Sequence, residues 1–175
     1  MKKYYLMGVN LNETLCMNSL GLYYKNIKKN KEKMLYYFEL GIENKCKYCM
    51  NNLGLYYYDN KYYDKAITYF NLGSIENYDK AINNLGHTLV KKRNFKMAEK
   101  YFLIAYYLGS IKALYNLSCF YENIHNNKKL KLKYERLYDL AMNKKELSNI
   151  NILEIDKSFF NLGLHKRHIG NNILL

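Results

Sequence analysis

Four leucines, Leu20, Leu53, Leu85 and Leu117, stand 33, 32 and 32 residues apart, each inside a similar stretch. Leu20, Leu53 and Leu85 are followed by glycine and Leu117 by Ser118. A second series, Tyr4-Tyr5, Tyr37-Phe38, Tyr69-Phe70 and Tyr101-Phe102, falls between them at the same steps. Two interleaved series keeping one period leave a stacked repeat array as the architecture, because a unit this short cannot bury its own apolar face and must borrow a neighbour's.

Within each period the apolar residues fall at helical spacing. Cys49, Leu53 and Tyr57 lie at i, i+4, i+8, and Ala66, Phe70 and Gly73 share a face, as do Ala98, Phe102 and Ala105. The spacing predicts helices over 12–25, 30–43, 45–58, 62–75, 78–91, 94–108, 110–123 and 127–143. Turns are expected at Asn26 to Asn30, Asp59-Asn60, Asn94, Gly109 and Asn126-Asn127. Small residues recur in two slots: Gly21, Gly54, Gly86 and Ser118 in the first helix of each unit, and Gly8, Gly41, Gly73 and Ala105 in the second, with Ala141 extending the latter after a four-residue insertion. Mid-helix glycine costs about 1 kcal/mol relative to alanine, so its repetition predicts close helix–helix approach. Tyr37, Tyr69 and Tyr101 are then structural, ring inside and hydroxyl at the edge.

The fold expected is all-α: a right-handed α-solenoid of about four antiparallel helix pairs over 1–145, with 146–175 as a C-terminal capping region carrying an Asn161-Leu162-Gly163 echo. The first residues start halfway through a unit.

The 21 tyrosines, the absence of proline and tryptophan, and the net charge of +13 bear on function. Lys, Asn, Ile and Tyr share AT-rich codons, so the charge is read first as lysine filling solvent positions. No stretch reaches the roughly 18 apolar residues of a membrane span, and the N-terminus lacks a signal-like apolar core. Four cysteines without a secreted spacing point to a reducing, cytoplasmic setting. Cys46 and Cys49 form an isolated CxxC; structural zinc wants four ligands, so Cys49 is read as a small core residue in the slot of Cys16, Ala81 and Ala113. His165 and His168, beside Lys166 and Arg167, read as a solvated basic tail. Phosphate loops, GxSxG, HExxH and SxxK motifs are absent. Glu76, Asp79, Glu99 and Glu135 read as solvent charges rather than an acid/base pair. No catalytic residue, metal or cofactor is assigned.

The pattern Leu-Gly-x-x-Tyr, then Ala, then Phe four later and a small residue three after that, resembles the tetratricopeptide repeat. Gly54, Tyr57, Ala66, Phe70 and Gly73 match it, as do Gly86, Ala98, Phe102 and Ala105, with Leu89 in place of the tyrosine. Ala105 to Tyr121, with Gly109, Ala113, Asn116-Leu117 and Tyr121, is more similar to the Sel-one-like repeat. The style is similar to lysine- and asparagine-rich repeat proteins of large DNA viruses, which would imply a host cytoplasm. The usual boundary proline is absent, and Lys33 stands where alanine is expected.

The resemblance implies a non-catalytic scaffold that binds a peptide or helix of a partner on a concave face lined by first helices. Counting from the small slot, that face should carry Asn18, Leu22 and Lys25; Asn51, Leu55 and Tyr58; Asn83, His87 and Lys91; and Tyr115 and Glu122, flanked by Lys80 and Lys112. Asn18, Asn51 and Asn83 would form an amide ladder along an extended peptide. Asn52, Asn84 and Asn116 offer groups for the carboxylate clamp of some tetratricopeptide domains, although Leu22 and Leu55 occupy positions where such a clamp uses asparagine. An acidic partner is the sub-case suggested by +13. A nucleic-acid partner is the alternative, requiring the lysines to form a continuous stripe.

Overall fold

The computed structural model describes residues 2–142. Among them the chain forms nine helices and no strand: α1 (Lys2–Asn10), α2 (Thr14–Asn26), α3 (Lys31–Glu43), α4 (Lys47–Asp59), α5 (Tyr63–Ile75), α6 (Asp79–Lys91), α7 (Phe95–Tyr107), α8 (Ile111–Asn123) and α9 (Lys128–Met142). Each helix packs on the next, and α2, α4 and α6 also touch across the repeats. This is an all-α repeat solenoid of pairs α2–α3, α4–α5, α6–α7 and α8–α9, preceded by α1 in the position of a second helix. The expected cap over 146–175, with Asn161-Leu162-Gly163, His165 and His168, lies outside the described residues.

One turn chemistry recurs. Asn12, Lys29, Lys45, Lys61, Asn77, Arg93, Gly109 and Asn126 all take positive φ, one in each connector. In the connectors 44–46, 60–62, 76–78, 92–94 and 108–110 a residue beyond this one donates back into the finished helix: Cys46 N–H to the Gly41 carbonyl (2.8 Å), Tyr62 to Tyr57 (2.9 Å), Tyr78 to Gly73 (3.0 Å), Asn94 to Leu89 (2.9 Å) and Ser110 to Ala105 (3.0 Å). This is the Schellman stop, which satisfies carbonyls left over at the helix end. The expected helix starts at 12, 45 and 110 are corrected accordingly. Asn12 and Lys45 are the left-handed residues of their turns, and Ser110 caps α8 from outside it. Asparagine starts α3, α7 and α9: Asn30, Asn94 and Asn127 accept from the backbone N–H groups of Lys33, Met97 and Leu130.

The two small-residue slots are the two kinds of joint. A β-carbon added at Gly21, Gly54 or Gly86 would strike the ring of Phe38, Phe70 or Phe102 in the second helix of the same pair; for Gly54 the nearest ring carbon would be 2.5 Å away. A β-carbon at Gly8, Gly41 or Gly73 would strike Cys16, Cys49 or Ala81 in the first helix of the next pair, at 2.6 Å for Ala81. Ala105 and Ala113 pack together at the last such joint. Phe38, Phe70 and Phe102 are wholly buried, as are Leu20, Leu53, Leu85 and Leu117.

The tyrosines expected to be structural, Tyr37, Tyr69 and Tyr101, are half-buried, and Tyr37 and Tyr69 belong to stacked pairs. Tyr24 stacks on Tyr37 (5.5 Å, 3°), Tyr57 on Tyr69 (5.3 Å, 3°) and Tyr121 on Tyr134 (5.5 Å, 5°). A lysine covers each pair: Lys33 Nζ lies 5.5 Å from the Tyr24 ring, Lys65 5.3 Å from Tyr57 and Lys133 6.0 Å from Tyr134. In the third pair Leu89 replaces the tyrosine and Met97 stands where Lys33 and Lys65 stand, so ring and cation are lost together. Glu99, expected in solvent, is half-buried and accepts the Tyr121 hydroxyl. Burial, and after it the Glu99 carboxylate, hold that hydroxyl protonated far above the ordinary tyrosine range.

Gly54→Ala gains helix propensity but forces the Phe70 ring aside. It should lower unfolding free energy in urea by about 1–3 kcal/mol. Adding Phe70→Leu should cost less in the Gly54→Ala background than in the parent.

Candidate functional site

The first helices present one side to their own second helices and another to each other. Between them runs a chain of side-chain amides. Asn52 Nδ2 donates to Asn18 Oδ1 (2.7 Å), Asn84 Nδ2 to Asn51 Oδ1 (2.9 Å) and Asn116 Nδ2 to Asn83 Oδ1 (2.7 Å). The donor always stands two residues before the small slot, and the acceptor three before it in the preceding repeat.

This corrects the expected peptide ladder. Asn51 and Asn83 are 7% and 1% exposed, and the Oδ1 atoms of Asn18, Asn51 and Asn83 accept from the next repeat. The amides hold repeat to repeat. The donors Asn52, Asn84 and Asn116, noticed in the sequence only as clamp candidates, are half of that network. A signal for it was present: the two inner repeats carry Asn-Asn doublets, whereas the first has Asn18-Ser19 and the last Tyr115-Asn116. A first repeat needs only an acceptor and a last one only a donor.

The other expected residues are placed as follows. Leu22, Leu55 and His87, one residue beyond the slot, are half-buried. Leu22 packs on the core of the first pairs, and Leu55 and Tyr58 on that of the later ones, with Tyr58 edge-on to Tyr63 (5.6 Å). Lys25 is half-buried; Lys80, Lys91 and Lys112 are exposed. Tyr115 is exposed and tilted against Tyr138 of α9 (5.7 Å). Glu122 also turns toward α9, pairing with Lys131 at 3.6 Å.

The structure brings four groups together around His87. Its ring stands edge-on to Phe102 of α7 (5.1 Å, 77°). Burial lowers its proton affinity below the ordinary imidazole value. A hydrogen bond with Asn116 opposes that effect, and the ammonium groups of Lys112 and Lys91 reinforce it. His87 therefore holds a proton less readily than a free imidazole. Among the described residues no three His, Cys, Asp or Glu side chains gather as metal ligands, and no helix is long and apolar enough to cross a membrane.

Two outcomes follow. Asn83→Ala strands the buried Asn116 amide and should cost about 1–3 kcal/mol in chemical denaturation. Asn83→Ala with Asn116→Ala should cost less than the sum of the single changes. His87, its folded-state affinity lowered, takes its proton in the unfolded chain first. Its contribution is therefore complete above the ordinary imidazole pKa and is lost as pH falls through the lowered one. The melting temperature should fall between pH 7 and pH 5 with a smaller slope in His87→Leu, leucine being the residue at this position in the first two repeats.

Comparison with known proteins agrees with this geometry. Residues 48–70 match the family model of the tetratricopeptide repeat. Curated proteins give no match to the chain. The matched stretch covers α4 and the first half of α5, the pair containing Gly54, Tyr57, Ala66 and Phe70. The same joints recur along the described helices, so the chain is an all-α helical repeat solenoid, one stretch of which is similar to the tetratricopeptide repeat.

Proposed function

We propose that this protein holds an extended peptide or helix of a partner, rich in acidic side chains, along the surface of its first helices. The observation that carries this reading is the exposure of Lys80, Lys91 and Lys112 on α6 and α8 beside the half-buried His87, whose ring meets Phe102. Carboxylates of a bound segment would pair with these ammonium groups, and the imidazole beside a buried phenyl ring would offer a partly desolvated contact. Leu22 and Leu55, in the equivalent positions of the first two repeats, extend the same track as apolar contacts. Acidic heads at one end and apolar side chains at the other would set the direction of the bound segment. The buried amides beneath it supply rigidity rather than contact, which lowers the ordering cost of binding. The setting proposed is a reducing one such as the cytoplasm.

Selection from a random peptide display library tests this. Selected peptides should be enriched in Asp and Glu, and should weaken with salt as exposed charge pairs do. They should lose about tenfold or more affinity on Lys112→Glu, equivalent to about 1.4 kcal/mol. Binding indifferent to salt and to Lys112→Glu, or crosslinks confined to second helices, would overturn the reading.

A further inference from the structure

Cys46 and Cys49 are spaced so that one caps a helix and the other sits in its first turn. Cys46 is the N-cap of α4, with extended backbone (φ −73°, ψ 100°), immediately after the left-handed Lys45. An N-cap side chain faces the free N–H groups of the first turn, the positive end of the helix dipole. The Cys46 thiol makes no capping hydrogen bond to the α4 backbone; it donates to the Thr14 carbonyl at 3.5 Å and lies in one turn with Cys49. Cys49 is wholly buried, its sulfur in the space left by Gly41 and 4.0 Å from Asn18 Oδ1.

Packing alone does not call for this pair. The N-cap position is filled by Glu13, Tyr78 and Ser110 in the other repeats, and the slot by Cys16, Ala81 and Ala113. A small residue suffices in one place and almost any residue in the other. Only the second repeat puts a thiol in both, three residues apart at the start of one helix. Their chemistry also diverges. The Cys49 hydrogen bond, against the effect of burial, brings the Cys46 thiol down to about 6, whereas Cys49 is pushed far up by the same bond and by burial. Two thiols in the first turn of one helix, the first with its acidity raised, have the layout of a nucleophile with a resolving partner.

We infer that Cys46 and Cys49 form a peroxide-reactive dithiol that closes to an intramolecular disulfide and so loosens the joint between α3 and α4. The Cys46 thiolate attacks one oxygen of hydrogen peroxide. An S–O bond forms, the O–O bond breaks, and the departing hydroxide takes a proton to become water. The sulfur, oxidised by two electrons, is then a sulfenic acid. The Cys49 thiol, giving up its proton, attacks that sulfur; an S–S bond forms and the oxygen leaves as a second water. A dithiol reductant reverses the closure by exchange. Cys46 is 3% exposed, which favours a reagent the size of water over bulky oxidants. Bonding draws the Cys49 sulfur out of the Gly41 space, where the first two repeats meet.

The test uses the full chain, reduced, then treated with hydrogen peroxide, acid-quenched, alkylated under denaturing conditions and digested with trypsin. Cleavage after Lys45, Lys47 and Lys61 should release the dipeptide Cys46-Lys47 disulfide-linked to residues 48–61, and dithiothreitol should abolish the link. Cys46 should react about tenfold or more faster than Cys16 and Cys119, which are more exposed but lack a thiol partner in the same first turn. Cys49→Ala, folded because alanine fills this slot in the later repeats, should accumulate a sulfenic acid on Cys46 that dimedone traps. Hydrogen exchange should rise at α3 and α4 in the oxidised parent and not in the oxidised Cys49→Ala chain. Oxidation of Cys16 or Cys119 ahead of Cys46, a persistent Cys46 sulfenic acid in the parent, or unchanged exchange in the disulfide form would each overturn the inference.

Discussion

The array depends on side chains that are missing. The first helices α2, α4 and α6 omit a β-carbon where a phenyl ring of their own pair lies, and α1, α3 and α5 omit one where Cys16, Cys49 or Ala81 of the next pair lies. A mid-helix glycine gives up about 1 kcal/mol of helix propensity, and burying a phenylalanine returns about 1.5–3 kcal/mol. The exchange is favourable only if ring and gap coincide. The same pair of gaps therefore sets the distance between helices and selects which helix faces which. Connectors with one left-handed residue each bring successive helices into that alignment, even though lysine, asparagine or arginine holds the position at all but Gly109.

Close approach makes the second level of order possible. With α2, α4, α6 and α8 side by side, amides on neighbouring helices come within 2.7–2.9 Å of one another. Buried, such bonds are costly to leave unmade, so they penalise any slip of one repeat against the next in a way the apolar joints do not. Hydrophobic contact tolerates small sliding; a donor two residues before the slot and an acceptor three before it do not. The ladder is a device for register.

The helices, the small-residue slots, the buried leucines and the half-buried Tyr37, Tyr69 and Tyr101 were legible in the sequence because each obeys a periodicity that only one face of a helix can satisfy. The ladder was half legible. Periodicity shows that Asn18, Asn51 and Asn83 share a direction, but at about 100° per residue a position three before the slot lies only about 60° from it. That angle is open to groove and neighbour alike, and the separation of the helices decides between them. The helix starts expected at 45 and 110 failed for a different reason: a Schellman turn ends in residues that look helical by composition. Glu99 was read as solvated because its partner, Tyr121, lies 22 residues away across a helix pair.

The basic composition divides in the same physical terms. Lys33, Lys65 and Lys133 lie over the stacked tyrosines, and Lys47 lies between Tyr48 and Tyr78, so their charge is directed at ring faces within the scaffold. Lys80, Lys91 and Lys112 have no such ring and stand exposed on the first helices. Two of these three act on His87, the one residue just beyond the small slot that is neither leucine nor cysteine. The third repeat, which carries it, is also the one that gave up both tyrosine and lysine of the stacking unit, at Leu89 and Met97. Its structural pair is apolar, and its exposed lysines and half-buried histidine lie on the first helices. Net charge alone could not have located that difference; the loss of one cation–aromatic unit beside a histidine flanked by free lysines does.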